Sequence, residues 1–293
     1  MNRTIQYTIT ERMHQHTIEC FLKQKGYSRH VLAHLKKIPE GILINHTWQR
    51  VSYRLNTGDI LTVRYSEETS SENIIAKPLP LHIVYEDEDL LIINKPPDMP
   101  VHPSQGNYEN TLANGLAFYF EQQCKHFVFR CINRLDRDTS GLLLIAKNGI
   151  SGCILSDMMK NRKIIREYSA IVTGHCVPCG IITAPICRLD GSTIERCVDF
   201  SRGEHAITHY QTLAYKNGYS LISIKLETGR THQIRVHMKY IGHPLPGDFL
   251  YNPEYSMIRR QALHSSSLTF CHPITGQPMH WKAELPEDFG LFL

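Results

Sequence analysis

Apolar residues in the first part of the chain recur at helical spacing and then form short continuous runs. Two sets with this spacing predict two consecutive helices: Ile18, Phe21 and Leu22, followed by Val31, Leu32 and Leu35. Ser28, which stands just before the second set, is a suitable N-cap residue. The runs at 41–45 and 60–63 predict strands, and Gly58 with Asp59 predicts a hairpin turn. This part of the chain is therefore predicted to be a small α/β unit.

A longer second region alternates apolar strands with helical and loop segments. Strands are predicted at 83–85, 90–96, 143–147, 164–174 and 221–225. The spacing of Ile150, Ile154 and Met158 predicts a helix after the third of these strands. The proline-rich run 97–103 excludes a helix or a central strand and predicts a shaped loop. Mixed strands and helices of this kind predict an α+β domain.

A polar stretch separates the two regions. Residues 66–73 have no apolar periodicity, so we expect a flexible linker at 67–79. The chain then divides into a small domain at 1–66 and a larger domain at 80–293. A linked binding module raises the local concentration of a substrate near its neighbour, which favours capture by one domain and chemistry in the other.

Length and composition indicate an ordinary globular protein. The 293 residues, of which 42% are hydrophobic, suffice for a full core. The longest apolar runs, 90–93 and 142–146, are far shorter than the ~20 residues of a membrane-spanning helix. Residues 1–7 lack the apolar core of a secretion signal, so we expect a cytoplasmic protein without membrane contact. The first 75 residues carry 10 Lys and Arg against 7 Asp and Glu, which permits RNA binding there.

Cysteine and histidine spacing offers two metal hypotheses, neither of which we favour. Nine cysteines without regular spacing indicate reduced thiols and not a disulfide framework. A zinc site is conceivable at Cys176, Cys179, Cys187 and Cys197, but the second pair is widely spaced, whereas structural zinc sites use two tight pairs. The histidines that could act as ligands lack a companion motif such as H-E-x-x-H: His243, His264 and His272. We therefore expect no metal.

The segment 132–141, Ile-Asn-Arg-Leu-Asp-Arg-Asp-Thr-Ser-Gly, is the strongest candidate for chemistry. Asp136 stands between Arg134 and Arg137, just before a Thr-Ser-Gly turn that ends in Gly141. Opposite charges within ~4–6 Å keep a carboxylate ionised, and glycine lets the backbone turn tightly or approach another group closely. An ionised aspartate of this kind can act as a nucleophile. The alternative is a surface ion-pair cluster without catalytic function.

Two further segments carry candidate site residues. In 226–238 the chain turns at Gly229 and can begin a helix with Thr231 as N-cap, so that Ile234 and Arg235 could line one pocket. The alternative for this segment is an amphipathic helix with ordinary surface charge. In 166–174, Tyr168 offers a flat ring for stacking and a hydroxyl for proton transfer, although strand tyrosines are also common packing residues.

These segments resemble a known family. Arg-Leu-Asp-x-x-Thr-Ser-Gly is similar to the signature of the RluA family of pseudouridine synthases, which isomerise uridine in structured RNA. Its Tyr-x-Ala-x-Val-x-Gly, Gly-Arg-x-His-Gln-x-Arg, His-Pro-x-x-Gly-Asp and Leu-His…His-Pro-x-Thr-Gly elements also have counterparts, in family order, within about residues 80–290. The last two look architectural. The resemblance implies a pseudouridine synthase fold: a mixed, largely antiparallel sheet with flanking helices and a central cleft.

The family's site residues fall on five positions of this sequence. The resemblance implies that Asp136 starts the glycosidic exchange and that Arg235 keeps it ionised and oriented. Tyr168 would stack on the uracil and help remove the C5 proton, and Ile234 would pack against the base. Arg134 would fill the space left by a flipped nucleotide.

The small domain resembles an S4-type RNA-binding module. In such modules basic residues on two helices meet RNA phosphates, and Arg29, Lys36 and Lys37 fit that role. The alternative is a solvated helical face, because charge on an exposed helix requires no function.

The resemblance implies an enzyme that isomerises uridines of ribosomal or transfer RNA by base flipping, acting as a monomer. Asp136 could attack C1′, attack C6 or remove the 2′ proton; none of these routes requires ATP, a redox cofactor or a metal. Two alternatives stay open: a catalytically silent RNA-binding or ribosome-assembly protein, and a glycoside hydrolase, which would need a second carboxylate. Many relatives have His where this chain has Asn133, and we expect that change to affect loop support or RNA preference more than reaction type.

Overall fold

The computed structural model describes residues 2–71 and 73–293 and contains a small sheet and a large one. The α-helices are α1 (Ile18–Gln24), α2 (Arg29–Leu35), α3 (Leu112–Glu121), α4 (Gly149–Lys160) and α5 (Gln233–Tyr240). The small sheet consists of β1 (Asn2–Thr8), β2 (Ile42–Ile44), β3 (Thr47–Trp48) and β4 (Ile60–Ser66). The large sheet and its neighbouring hairpin consist of β5 (Ile83–Glu86), β6 (Leu90–Lys95), β7 (Ser140–Ala146), β8 (Ile165–Thr173), β9 (Cys179–Thr183), β10 (Ile186–Arg188), β11 (Arg196–Val198), β12 (Ile207–Lys216), β13 (Tyr219–Leu226), β14 (Leu263–Cys271) and β15 (Pro278–Lys282). None of the helices in the described part of the chain combines the length and apolar character that crossing a bilayer requires.

The small unit packs α1 and α2 on a sheet of order β1-β4-β2-β3. The apolar residues that predicted the two helices are all buried, and the Ser28 hydroxyl accepts a hydrogen bond from the backbone N–H of Val31 at 3.2 Å, as expected of an N-cap. Strand β1 was not predicted from the sequence. Ile5 and Tyr7 alternate with polar residues in β1, which is the pattern of a half-buried strand, so the signal was present in the sequence.

The large sheet runs in the order β5-β6-β7-β14-β8-β13-β12-β9, and β15 extends it from β14. Within the described residues, neighbouring strands are antiparallel except β7 and β14, which pair in parallel. The predicted α+β class and the mixed, largely antiparallel sheet are therefore confirmed. Strands β10 and β11, which form a separate hairpin, were not predicted.

Both faces of the large sheet are covered, and successive residues of its strands alternate between them. In β8, Tyr168 and Ala170 belong to a hydrophobic cluster that includes Ile234 and Met238 of α5, whereas Ile171 belongs to a different cluster. Helix α4 packs against β7 on the opposite face from α5. This layering brings the Tyr168 face of β8 and the start of α5 onto one side of the sheet.

The two sheets share contacts through α4. Its residues Ile150 and Ile154 belong to the hydrophobic cluster of the small unit. Arg3 of β1 donates from Nε to Asp89 Oδ1 at 3.0 Å and from Nη2 to Oδ2 at 2.8 Å, and Asp89 is only 2% exposed. A buried carboxylate paired by two charge-assisted hydrogen bonds fixes the relative position of the groups it joins.

The described residues between β4 and β5, 67–71 and 73–82, form no helix or strand, but several are hydrogen-bonded to the larger unit. The Ser70 hydroxyl accepts from the backbone N–H of Phe127 at 3.1 Å, and the Ser71 hydroxyl accepts from Phe129 N–H at 3.0 Å. The backbone N–H of Lys77 donates to Asn114 O at 3.2 Å. The polar composition predicts a flexible linker, whereas Ser70, Ser71 and Lys77 here form hydrogen bonds with residues of the larger unit.

The four cysteines considered as zinc ligands lie in different environments. Cys187 and Cys197 face each other across the β10–β11 hairpin with their Sγ atoms 3.6 Å apart. Cys176 is buried before β9, whereas Cys179 is exposed at the start of that strand. Within residues 2–71 and 73–293 they belong to no group of three or more metal-ligating side chains.

Gly141 generates a prediction about the pairing of β7 with β14. Its φ is +109°, and a Cβ atom at this position would lie 2.3 Å from the backbone oxygen of Ser265. We expect Gly141→Ala to lower the free energy of unfolding by about 3 kcal/mol or more, because backbone strain and overpacking act together. Urea unfolding at equilibrium measures the loss.

Gly218→Ala is the matched control, because Gly218 also has a positive φ of +84°, but a Cβ atom at this position would have no other atom within 4 Å. We expect this variant to lose only about 1–2 kcal/mol, the cost of the backbone conformation itself. Equal losses in the two variants would show that the approach to Ser265 is unimportant.

Candidate functional site

The loop that carries Asp136 is held at several points by buried groups. The Thr139 N–H donates to Asp136 O at 3.1 Å and closes the turn, and Gly141 then enters β7 against β14. Lys95, which is fully buried, donates from Nζ to Arg137 O and to Pro96 O, both at 2.7 Å. Burial lowers the pKa of Lys95 to about 7, although the negative charges of Asp138 and Asp136 oppose this shift. The loop is therefore a fixed support for the carboxylate.

Asn133 has a structural task in this loop. Its side chain is buried, donates to Leu142 O at 3.3 Å and accepts from Leu144 N–H at 2.8 Å. Both partners are main-chain groups of β7, so the amide substitutes for a strand neighbour and ties the loop to the sheet. This contact agrees with the expectation that position 133 concerns loop support.

The centre of the site is an ion triad of Asp136, Arg235 and Asp248. Arg235 donates from Nη1 to Asp136 Oδ2 at 2.8 Å, from Nε to Asp248 Oδ2 at 2.6 Å and from Nη2 to Asp248 Oδ1 at 2.7 Å. The side chains of Arg235 and Asp248 are 2% and 0% exposed, whereas that of Asp136 is 31% exposed. Burial alone would lower the pKa of Arg235, but the hydrogen bond to Asp248 and the charges of both carboxylates raise it above its ordinary value. The guanidinium of Arg235 is therefore a permanent cation, and of its two carboxylate partners Asp136 is the one in contact with solvent.

The two arginines that flank Asp136 in the sequence do not hold it. Arg137 turns away and binds Asp138 through two hydrogen bonds of 3.0 Å. Arg134 is exposed and forms no ion pair within residues 2–71 and 73–293. The predicted pairing of Asp136 with its flanking arginines was therefore wrong. In a turn, successive side chains point in different directions, so sequence neighbours need not be spatial partners.

Helix α5 begins later than predicted. It starts at Gln233, and the residue before it, His232, has a left-handed φ of +58° and no side-chain cap, so the expectation that Thr231 is the N-cap was wrong. The Gln233 side chain serves the helix start instead, because its Oε1 accepts from Arg230 N–H at 3.0 Å and its Nε2 donates to Ile207 O at 3.0 Å. Gln233 thereby fixes one side of α5 to β12, which leaves Arg235 directed at Asp136.

Tyr168 and Ile234 lie beside the triad in the same hydrophobic cluster. Tyr168 is 4% exposed, and burial raises its pKa. Arg166 opposes this rise in pKa, and the negative charge of Asp136 adds to it. Ile234 is also 4% exposed and precedes Arg235 on the helix. The structure therefore brings together Asp136, Arg235, Tyr168 and Ile234, with Arg134 on the exposed side of the same loop.

Arg29, Lys36 and Lys37 lie apart from this group. All three are exposed on α2 or the turn after it, in the small unit. Lys36 Nζ lies 3.9 Å from Glu19 Oε2, a weak exposed ion pair. These side chains present positive charge to solvent.

Three residues of the site, one of them in the triad itself, were not identified from the sequence as site residues. Asp248 belongs to a turn motif that looks architectural in the sequence, although it binds Arg235 directly. His232 Nε2 lies 3.8 Å from Asp136 Oδ2, and Tyr251 Oη lies 2.9 Å from His232 Nδ1. The signal was present for His232, which stands inside the Gly-Arg-x-His-Gln-x-Arg segment. Nothing in the sequence places Tyr251 there, since its position depends on how the chain folds after α5.

A second group of potential ligands is occupied by the protein's own donors. Asp87, Asp89 and His272 have ligand atoms within 4.8 Å of one another. Asp89 already accepts hydrogen bonds from Arg3, Asn148 and Ser151, and His272 Nε2 donates to Asp87 Oδ2 at 2.9 Å. Because each acidic group has donors, this network is structural.

The chain has clear relatives among known proteins. Residues 89–240, which include Asp136, Tyr168 and Arg235, match the family model described as RNA pseudouridylate synthase. An uncharacterized RNA pseudouridine synthase of Bacillus subtilis, YjbO, is 41% identical over 275 residues, which cover 94% of this chain and 97% of that protein. Ribosomal large subunit pseudouridine synthase D of Escherichia coli is 40% identical over 224 residues, covering 72% and 68% of the two chains. The structure of human RNA pseudouridylate synthase domain containing 1 is similar with a TM-score of 0.60 and 27% identity, covering 71% of this chain and 85% of that one.

The triad generates a prediction about stability. We expect Asp248→Asn to lower the free energy of unfolding by about 3–5 kcal/mol, because it leaves the buried Arg235 cation without its bidentate partner. Asp136→Asn should lose about 1 kcal/mol or less, because Asp136 is partly solvated. Urea unfolding of both variants measures the difference, and a larger loss for Asp136→Asn would contradict the assignment of Asp248 as the buried counter-ion.

Proposed function

This chain belongs to the family of RNA pseudouridylate synthases, and we propose on that premise that Asp136 is the carboxylate with which it isomerises uridine to pseudouridine in RNA. The observation that carries the proposal is the 2.8 Å contact between buried Arg235 and partly exposed Asp136. Perturbed and paired charges in a cleft are typical of catalytic groups. The neighbouring Tyr168 and Ile234 supply a flat ring and an apolar wall at the same place.

The reaction breaks the N1–C1′ bond of uridine, rotates the uracil and joins C5 to C1′. The C5 proton leaves and N1 ends protonated, so product and substrate have the same composition. A nucleotide in a helix must first be flipped into the pocket at a cost of about a few kcal/mol, less where the base is already unpaired. Loops and bulges of structured RNA are accordingly the expected targets.

Each side chain has a distinct role in this proposal. Asp136 starts the exchange by attack on C1′, by attack on C6 or by removal of the 2′ proton, and its exposed side gives it access to the nucleotide. Arg235 holds and orients Asp136 through the 2.8 Å charge-assisted hydrogen bond. Tyr168 stacks on uracil and assists departure of the C5 proton. Ile234 packs against the base, and Arg134, exposed two residues before Asp136, occupies the space that the flipped base leaves.

We propose ribosomal RNA as the substrate. The relative in E. coli is named for the large ribosomal subunit, and the similarity spans 72% of this chain. Ribosomal RNA is met in the cytoplasm, so we propose that the protein works there. We propose a monomer as the active form.

We propose that residues 1–66 form an S4-like RNA-binding domain, that 67–79 connect it and that 80–293 form the catalytic domain. Arg29, Lys36 and Lys37 are exposed together on and after α2, which supports contacts with phosphates. Phosphate contacts position an RNA without reading its sequence. Recognition of the base itself then depends on the catalytic domain.

The first functional prediction concerns tritium release. Ribosomal RNA transcripts labelled with tritium at uridine C5 should lose label on incubation with the wild-type protein, because C5 exchanges its hydrogen for C1′. Asp136→Asn should release none above background, since the amide is neither an ionised nucleophile nor a base. Release is measured as label recovered in water over time.

Labelled transfer RNA transcripts form the parallel substrate in that assay. Release from transfer RNA alone would retain the isomerase and overturn the ribosomal assignment. A wild-type protein that releases no label from either RNA would support the catalytically silent alternative, and free uracil among the products would indicate hydrolysis.

The second functional prediction concerns the small domain. Replacing Arg29, Lys36 and Lys37 by Ala should weaken RNA binding at least about ten-fold and reduce the slope of log affinity against log salt by roughly 1 per lost phosphate contact. The turnover rate at saturating RNA should change little. Filter binding at several salt concentrations measures the affinity and the slope, and tritium release measures the turnover rate.

A matched control removes three exposed cations at the end of α4 and the turn after it, namely Lys160, Arg162 and Lys163. Its net charge equals that of the first triple variant. Equal weakening by the two variants would mean that only the net charge matters and would refute the assignment of α2.

A further inference from the structure

His232 has a backbone conformation that suggests a constrained task. Its φ of +58° is in the left-handed region, at the junction between the loop after β13 and the first turn of α5. Non-glycine residues in this region store strain, and such strain often lies at functional sites. The conformation aims the imidazole between Tyr251 on one side and Asp136 on the other.

The hydrogen bonds around Tyr251 define the direction of its proton. Tyr251 Oη accepts from the backbone N–H of Arg196 at 2.9 Å and lies 2.9 Å from His232 Nδ1. Burial raises the pKa of Tyr251 to about 12, so the phenol keeps its proton near neutral pH. Within residues 2–71 and 73–293, His232 Nδ1 is the one acceptor within hydrogen-bond distance of this hydroxyl, so Tyr251 donates its proton to His232 Nδ1.

This direction determines the tautomer of His232. An imidazole that accepts at Nδ1 carries its hydrogen on Nε2, and Nε2 is the atom that faces Asp136 Oδ2 at 3.8 Å. Burial lowers the pKa of His232, and the positive charge of Arg235 lowers it further. The carboxylates of Asp136 and Asp248 oppose this shift but do not cancel it, so the ring is neutral near pH 7. The separation of 3.8 Å is longer than a hydrogen bond. A shift of less than about 1 Å would close it.

Both donors near Asp136 face the same oxygen. Arg235 Nη1 donates to Oδ2, and His232 Nε2 also approaches Oδ2. Within residues 2–71 and 73–293, Oδ1 of Asp136 has no hydrogen-bond donor of the protein. Two donors on one oxygen orient the carboxylate and leave the other oxygen to react.

We propose that His232 and Tyr251 are positioning residues of the proposed isomerase: Tyr251 holds His232 as the Nε2–H tautomer, which closes on Asp136 Oδ2 when the nucleotide binds and directs Oδ1 at the substrate. This inference rests on the function proposed above. A neutral donor orients the carboxylate. A second positive charge at this place would instead make Asp136 a weaker nucleophile or base.

The test compares variants that differ in where they place a donor. His232→Asn tolerates the left-handed backbone well but ends short of the Nε2 position. His232→Gln can place an amide N–H near that position. We expect His232→Asn to lower the single-turnover rate of tritium release by about 10- to 100-fold with the RNA dissociation constant within about 3-fold, because misorientation of a reacting group costs rate and not binding. His232→Gln should recover most of that rate.

Tyr251→Phe removes only the hydroxyl and should lower the rate by about 3- to 10-fold, because the tautomer is then no longer imposed. Adding it to His232→Asn should cause no further loss, since the two residues act as one unit. Tyr255→Phe is the matched control; Tyr255 is 45% exposed in the same loop region, and we expect its rate to be unchanged. Urea unfolding confirms that each variant is folded before its rate is compared.

The outcomes separate this inference from the proposed function. A wild-type rate in His232→Asn would overturn the positioning role while leaving the isomerase intact. Equally low rates in His232→Asn and His232→Gln would also overturn it, because a donor at the ε position would then be irrelevant. Additive losses in the double variant would refute the link to Tyr251. Absence of release by the wild type would overturn the proposed function itself.

Discussion

The site depends on one buried guanidinium. Arg235 is 2% exposed, and an unpaired charge so far from water would be strongly destabilising. Asp248, which is completely buried, compensates most of that cost through two hydrogen bonds. An N–H on Nη1 of the guanidinium binds Asp136, whose other side meets solvent. Arg235 therefore binds two carboxylates with different environments. Asp248 is buried and stabilises the cation, whereas Asp136 is partly exposed. That division explains how one arginine can serve both stability and chemistry.

The triad is assembled from segments far apart in the chain, and the sheet brings them together. Asp136 lies just before β7, and Arg235 follows β13 on α5. Strands β14 and β8 lie between β7 and β13 in the sheet and hold them at a fixed separation. The parallel pairing of β7 with β14 brings Gly141 against Ser265, which fixes where the loop enters the sheet. The geometry at Asp136 is consequently a property of the whole sheet and not of the loop alone.

Sequence patterns predicted the fold class and several central elements, because buried strands and helices carry strong apolar periodicity. Other elements were not predicted: β1, although Ile5 and Tyr7 alternate with polar residues there; the short strands β10 and β11; and the longer elements α3, β12 and β14. Four motif residues are adjacent in space: Asp136, Tyr168, Ile234 and Arg235. Their grouping was predicted from the resemblance to a family and not from their spacing in the sequence. Local reasoning failed where partners are remote. The flanking Arg134 and Arg137 suggested a charge clamp, whereas the true partner is 99 positions away. Likewise, Thr231 suited an N-cap, yet the tertiary contacts of Gln233 with β12 determined where α5 begins.

A continuous stretch of chain connects the site to the small unit. The loop of Asp136 leads into β7, β7 leads directly into α4, and α4 inserts Ile150 and Ile154 into the small unit's hydrophobic cluster. Arg3 and the buried Asp89 reinforce that contact with a partly buried ion pair. A small domain on a flexible tether would only raise the local concentration of RNA. A domain seated on α4 does more, because it sets the distance and direction between α2 and Asp136. An RNA held on α2 would then offer only those nucleotides that lie at this separation, so docking itself contributes to the choice of uridine.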